Sequence, residues 1–173
     1  MGGHFAGRTV RGHLETYMND ADFMRLAIEA ALEGIAAGQT PFGAAIVRAG
    51  QLVVATHNVV WATTDITAHA EVHAIREACT RLGTIDLNGC TIYSTTEPCP
   101  MCFSAIHWSK IGRIVYGASI ADAAAAGFRE LTISNEQMKK IGGSGVELVP
   151  GFMHEECMET FRRFRSGDKF RVY

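Results

Sequence analysis

The apolar positions change period along the chain, and each change predicts an element. Phe23, Leu26, Ala27, Ala30, Ala31 and Ile35 recur at helical spacing between Asn19-Asp20, which read as caps, and Gly38. After Pro41 the period shortens, and residues 42–48 and 51–56 read as two strands of a hairpin joined by the Ala49-Gly50 turn. Residues 58–68 read as a loop. Val72, Ile75, Ala78, Cys79 and Leu82 restore helical spacing from His69 to Gly83. Beyond it the pattern gives a strand at 90–95, a helix at 99–109, a strand at 113–116 and a Gly- and Ala-rich stretch at 117–128. A helix at 134–141, a strand at 146–149, a helix at 154–165 and a tail without period at 166–173 complete the chain.

Strands alternating with helices predict an α/β fold of three layers, α/β/α, with a central mixed sheet of about five strands covered on both faces. At 173 residues the chain suits one domain. Residues 18–150 read as the core, 151–173 as a C-terminal helix and tail, and 1–17 as a flexible lead whose Gly, His, Arg and Thr contain no secretory apolar run.

Charge and composition narrow the function. With 47% hydrophobic and 20% charged residues and no run approaching the ~18 apolar residues of a membrane span, a soluble globular protein is expected. A net charge of −2 argues against a protein built to coat nucleic acid. The local exception, Arg162, Arg163, Arg165, Lys169 and Arg171 interleaved with Phe161, Phe164 and Phe170, reads first as an amphipathic helix with its phenylalanines inward. Five cysteines, two of them in a C-x-x-C pair, fit metal or thiol chemistry and a reducing cytoplasm better than a disulfide framework.

The chemistry concentrates in His69-Ala70-Glu71 and in Pro98-Cys99-Pro100-Met101-Cys102, about thirty residues later. His69, Cys99 and Cys102 can hold one catalytic Zn²⁺ and leave its fourth position for water, with Glu71 beside the metal as a carboxylate free to carry protons. Residues two apart point to different sides of a helix, so H-x-E works only at a helix mouth, where Thr67 is the expected cap. Cys99 and Cys102, at i and i+3, share a face. Alone, the C-x-x-C pair equally fits a thioredoxin-type redox site. The H-A-E motif favours zinc, and the H-x-x-x-H spacing of His69 and His73 fails as a zincin because Ala70 stands where that carboxylate belongs. His73, His107, His154, Cys79, Cys90 and Cys157 read as packing residues.

H-x-E with P-C-x-x-C is the signature of zinc nucleobase deaminases, and the chain resembles the cytidine deaminase superfamily. Within it the likeness is greatest to the guanine deaminases of bacteria and their guanosine deaminase relatives, through Pro41-Phe42-Gly43-Ala44, Asn58, the stretch 67–72, the stretch 97–102 and the stretch from Asp122 to Phe128. The resemblance implies a zinc-dependent hydrolysis of guanine at C2 to xanthine and ammonia, one zinc per subunit, with Glu71 moving the protons. Glu130 would be a second catalytic carboxylate, standing where many members carry aspartates. Asn58, Phe42, Ala70, Trp108 and Tyr173 would bind the base, Phe42 and Trp108 as aromatic walls. The resemblance further implies a homodimer that exchanges residues 151–173, with Tyr173 closing the partner's site. Rival readings are a guanosine deaminase, a tRNA adenosine deaminase and a noncatalytic zinc-binding domain. Near-neutral charge and the sequence of the 122–128 loop disfavour the RNA substrate, and a retained Glu71 disfavours the noncatalytic domain.

Overall fold

The computed structural model describes residues 18–167 and 171–173. The expected lead at 1–17, with Lys169 and Phe170, lies outside the described residues. Helix α1 (Asp20–Ala36) starts at the expected place: Asn19 accepts from the amides of Ala21 and Asp22, and Asp22 answers with its side chain on the Asn19 amide. Strands β1 (Gly43–Arg48) and β2 (Gln51–His57) form the expected hairpin. Gly43 is required there. A Cβ would fall 2.0 Å from the Ala27 carbonyl oxygen of α1, so only glycine lets the helix lie this close to the strand.

The expected loop at 58–68 contains a single helical turn, α2 (Val60–Thr63), too short to carry an apolar period. Then follow α3 (Ala70–Leu82), β3 (Cys90–Thr96), α4 (Pro100–Trp108), β4 (Arg113–Ala118), α5 (Ile120–Ala125), α6 (Asn135–Gly142), β5 (Glu147–Val149) and α7 (His154–Ser166). Helix α5 lies inside the Gly- and Ala-rich stretch. Ser119 and Asp122 make a capping box at its start, so Asp122 is spent on the helix rather than on the site.

The sheet order is β2-β1-β3-β4-β5, with β1 antiparallel to β2 and β3, and β3, β4 and β5 parallel. The sheet is mixed, as expected. Alternation along the strands divides the core: Ala45, Val47, Tyr93 and Val115 pack with Phe23, Met24 and Ala27 of α1 and Cys157 of α7. Ala44, Ile46, Ile92 and Ile114 meet Ala74 and Ala78 of α3 and Phe103 and Ile106 of α4 on the opposite face. The molecule is therefore the three-layer α/β/α arrangement that the pattern predicted. On the second face, the N-terminal ends of α3 and α4 are the parts that carry chemistry.

Candidate active site

Both metal-bearing motifs sit at helix mouths. His69 is the N-cap of α3 and Cys99 the N-cap of α4, each with extended backbone and without a side-chain cap, so their side chains are free for other work. Thr67 does not cap α3; its amide and hydroxyl both turn back to Asp65 Oδ1, at 2.8 and 2.6 Å. The α3 mouth resolves the helical-wheel difficulty, because His69 lies just outside the helix and Glu71 in its first turn.

His69 Nδ1 lies 3.7 Å from Cys99 Sγ and 3.6 Å from Cys102 Sγ, and all three donor atoms fall within 4.8 Å of one another. Zinc bound tetrahedrally at ordinary Zn–N and Zn–S lengths sets a nitrogen and a sulfur about 3.6 Å apart. The residues present therefore fit the ion in donor type and in spacing. The Cys102 thiol donates to Cys99 and, with His69, holds the Cys99 thiol down to about 4, so Cys99 is a thiolate. For the same reason Cys102 is pushed well up, by its bond to Cys99 and by burial. Burial pulls the His69 imidazole down, but the Cys99 sulfur and the Glu71 carboxylate outweigh it and raise the group.

Glu71 is buried beside this triad, with the Ser94 hydroxyl 3.0 Å from Oε1 and Cys102 Sγ 3.4 Å from Oε2. Burial, then the Cys99 thiolate, raises its pKa, which makes the carboxyl able to hold a proton. Outside the triad opens a cavity of about 320 Å³ whose walls include His69, Cys99, Phe128, Glu130, Leu131 and Tyr173. Glu130, the second carboxylate expected, is in that wall. Its Oε2 is buried without a hydrogen-bond partner, and burial followed by the charges of Cys99 and Glu71 lifts it to about 7.

The other expected contacts divide. Tyr173 reaches the site of its own chain: the ring lies 5.8 Å from that of His69 and 6.5 Å from that of Phe128, and the hydroxyl takes a 2.7 Å hydrogen bond from Asn58 Nδ2. Asn58 is fully buried, with Oδ1 accepting from the Val60 amide, so its amide grips Tyr173 and the α2 turn rather than standing open to a base. Phe42 is likewise behind the wall; it packs edge-on against Phe128 at 4.8 Å and against Phe161 at 5.8 Å. Ala70 is fully buried and its carbonyl accepts from Thr56.

Trp108 is not an aromatic wall. It ends α4, is 82% exposed and borders a different cleft with His107 and Met138. At 1.5 Å per residue the helix carries it roughly 12 Å from Pro100, away from the metal end. Phe128 supplies the aromatic wall instead, and the sequence signal for it was Gly127-Phe128 just ahead of Glu130. Trp61 was missed as well: it packs 6.0 Å from the Tyr173 ring and lies under the Arg171 guanidinium, 3.7 Å from its centroid. Of the basic cluster, Arg162 and Arg163 are paired with Glu159, and Phe161 and Phe164 point inward as expected.

Two sulfurs and an imidazole at the spacing of one ion, with a buried carboxylate beside them and a pocket opening outside, have the make-up of a hydrolytic metalloenzyme site. Residues 18–118 match the family described as cytidine and deoxycytidylate deaminase zinc-binding region. The chain is 45% identical over 120 residues to the guanine deaminase of Bacillus subtilis, covering 69% of this chain and 77% of that protein. It is 36% identical over 154 residues to the tRNA-specific adenosine deaminase of the same organism, covering 87% of this chain and 93% of the other. Among solved structures, guanine deaminase from Nitrosomonas europaea superposes with a TM-score of 0.80 at 26% identity, over 95% of this chain and all of the other. The chain belongs to the cytidine and deoxycytidylate deaminase family, and its chemistry is that of a hydrolytic deaminase.

Proposed function

We propose that this deaminase is zinc-dependent and acts on free guanine, releasing xanthine and ammonia. The observation that carries the reading is Glu130, whose buried, unpartnered Oε2 waits in the pocket wall for a donor. Guanine offers N1–H and its 2-amino group side by side, two donors to one carboxylate in the ionised form that prevails above its raised pKa of about 7. The reacting edge of adenine offers only one donor next to a ring acceptor. Similarity to guanine deaminases supports the same reading.

His69, Cys99 and Cys102 would hold one zinc ion, which when bound supplies a Lewis acid that makes water nucleophilic near neutral pH. Glu71 takes a proton from the attacking water on its carboxylate and passes it to the ring nitrogen next to C2. It then takes the second proton of that water from the oxygen now on C2 and gives it to the amine as the C2–N bond breaks, so that water and guanine leave as xanthine and ammonia. Phe128 and Tyr173 hold the ring and keep bulk water out. Because the thiolate ligands must stay reduced, we place the protein in a reducing compartment such as the cytoplasm.

One observation favours a second reading, adenosine in tRNA: similarity to a tRNA-specific adenosine deaminase runs over more of the chain than similarity to the guanine enzyme. A net charge of −2 and the internal pairing of Arg162 and Arg163 weigh against an RNA-binding face. The homodimer with exchanged residues 151–173 belongs to the same proposal, since contacts made within one chain by α7 and Tyr173 can be made equally between two. Light scattering on the purified protein tests it, and a monomer at working concentration rejects it.

The deciding experiment is ammonia release by zinc-loaded protein given guanine, guanosine, cytosine or a tRNA anticodon stem with adenosine. Guanine turnover is expected. Turnover of the stem alone replaces the reading by tRNA editing, and turnover of guanosine alone means that the pocket admits ribose.

A further inference from the structure

Glu97 takes no part in the chemistry above, yet it is a carboxylate only 6% exposed, two residues before Cys99. Its own amide donates to the Ala118 carbonyl at 2.7 Å and so fastens the end of β3 to the end of β4. Its side chain does more. Oε1 accepts from the Asn135 amide at 2.7 Å, and Oε2 accepts from the Ile120 amide at 3.2 Å. These amides belong to the first residues of α6 and α5, donors that a helix leaves without internal partners. Asn135 Nδ2 closes the arrangement with a 2.6 Å bond to the Pro98 carbonyl, next to Cys99.

Ile120 and Asn135 are the two ends of one segment. Between them, after α5 ends, residues 128–134 have no regular structure, and this stretch provides Phe128, Glu130 and Leu131 to the pocket. A wall without a helix or strand of its own takes its position from its anchors. Both anchors converge on one carboxylate, and that carboxylate is built into the loop that carries a metal ligand.

We propose that Glu97 is the positioning residue that sets the Glu130 wall in register with Cys99, so that the base and the metal end are held at one distance. This rests on the role given to Glu130 in substrate binding. Gln at position 97 preserves shape but presents an amide NH₂ to one of the two backbone donors, breaking one anchor without emptying the space.

The test compares zinc-loaded wild type, Glu97→Gln, Glu130→Gln and the double variant, measuring bound zinc, kcat/KM on whichever substrate the wild type turns over, and amide exchange across residues 120–135. In Glu97→Gln zinc is expected to stay bound, exchange at Ile120, Asn135 and residues 128–131 to rise, and kcat/KM to fall roughly 10- to 100-fold. The double variant is expected to be no slower than Glu130→Gln, because Glu97 acts through Glu130. Losses that multiply in the double variant, or a loss that follows lost zinc, overturn the proposal.

Should Glu97→Gln fail to fold, Asn135→Pro severs the Oε1 anchor, together with the Asn135 bond to the Pro98 carbonyl, and leaves the Oε2 anchor on Ile120 in place. Proline suits the first helical position, and Ser134, at φ −68° and ψ 157°, already has the backbone that a residue before proline requires. The same rise in exchange at Ile120 and residues 128–131, proline having no amide at 135, and the same fall in kcat/KM are expected. Exchange needs no substrate, so unchanged protection at 120–135 defeats the proposal whatever the enzyme acts on. Raised exchange in the variant, alongside a wild type inactive on guanine, leaves the positioning role standing and defeats only the guanine reading.

Discussion

The two sides of the pocket are built by opposite means. On the metal side, His69 and Cys99 are the N-caps of two helices pinned to the central sheet, and every donor atom comes from within three residues of a helix start. On the base side, Glu130 lies in a stretch without regular structure, and Tyr173 reaches the same pocket from the far end of the chain. Rigid helix mouths suit an ion whose bond lengths tolerate little error, and an anchored loop suits a substrate whose edge can differ between relatives. The contrast agrees with similarity both to a guanine deaminase and to a tRNA-specific adenosine deaminase, relatives named for different substrates.

The contrast predicts unequal effects. Glu71→Gln, on the metal side, should lower kcat by about 10²- to 10⁴-fold while zinc measured by elemental analysis stays bound; substantial residual turnover would take the proton shuttle away from Glu71. On the base side, Glu130→Gln should cost about ten- to a hundredfold in kcat/KM for guanine, the worth of a hydrogen bond to a charged acceptor, with zinc again retained. Equal turnover with and without the carboxylate would return Glu130 to an ordinary wall residue.

Smaller effects sharpen the comparison. Tyr173→Phe removes the hydroxyl that Asn58 holds at 2.7 Å and should lower kcat/KM by a few-fold, the worth of about one neutral hydrogen bond. A rise instead would mean that Tyr173 occupies Asn58 at the expense of the substrate. Trp108→Ala, at the exposed end of α4, should leave KM for guanine within about twofold of wild type, as expected of a surface position. A marked rise in KM would bring Trp108 back to the base after all.

What the sequence made legible follows the same division. The five-stranded sheet, the helices other than α2 and α5, and the His-Cys-Cys triad were readable because each depends on neighbours within a few residues: apolar period, a cap, a C-x-x-C turn. The three-layer fold followed from the alternation of those elements. Asn58 was not readable in the same way, since its amide is taken by Tyr173, 115 positions away. Phe42 and Trp108 were both aromatic residues near a motif, and local pattern says nothing about which way the strand faces or how far a helix carries its last residue. Glu97 hid inside a motif read for its cysteines, because it grips two backbone amides, at Ile120 and Asn135, that no side-chain pattern announces.

The stacking of Arg171 on Trp61 has a practical sequel in spectroscopy. The chain has two tryptophans, one of them the exposed Trp108 and the other lying against Tyr173 beneath a guanidinium. With Trp108→Phe the remaining indole emission belongs to a single ring whose surroundings change whenever the tail departs. Binding of a base, or release of residues 171–173 from the pocket, then becomes visible as a shift in fluorescence, without any label and before any turnover.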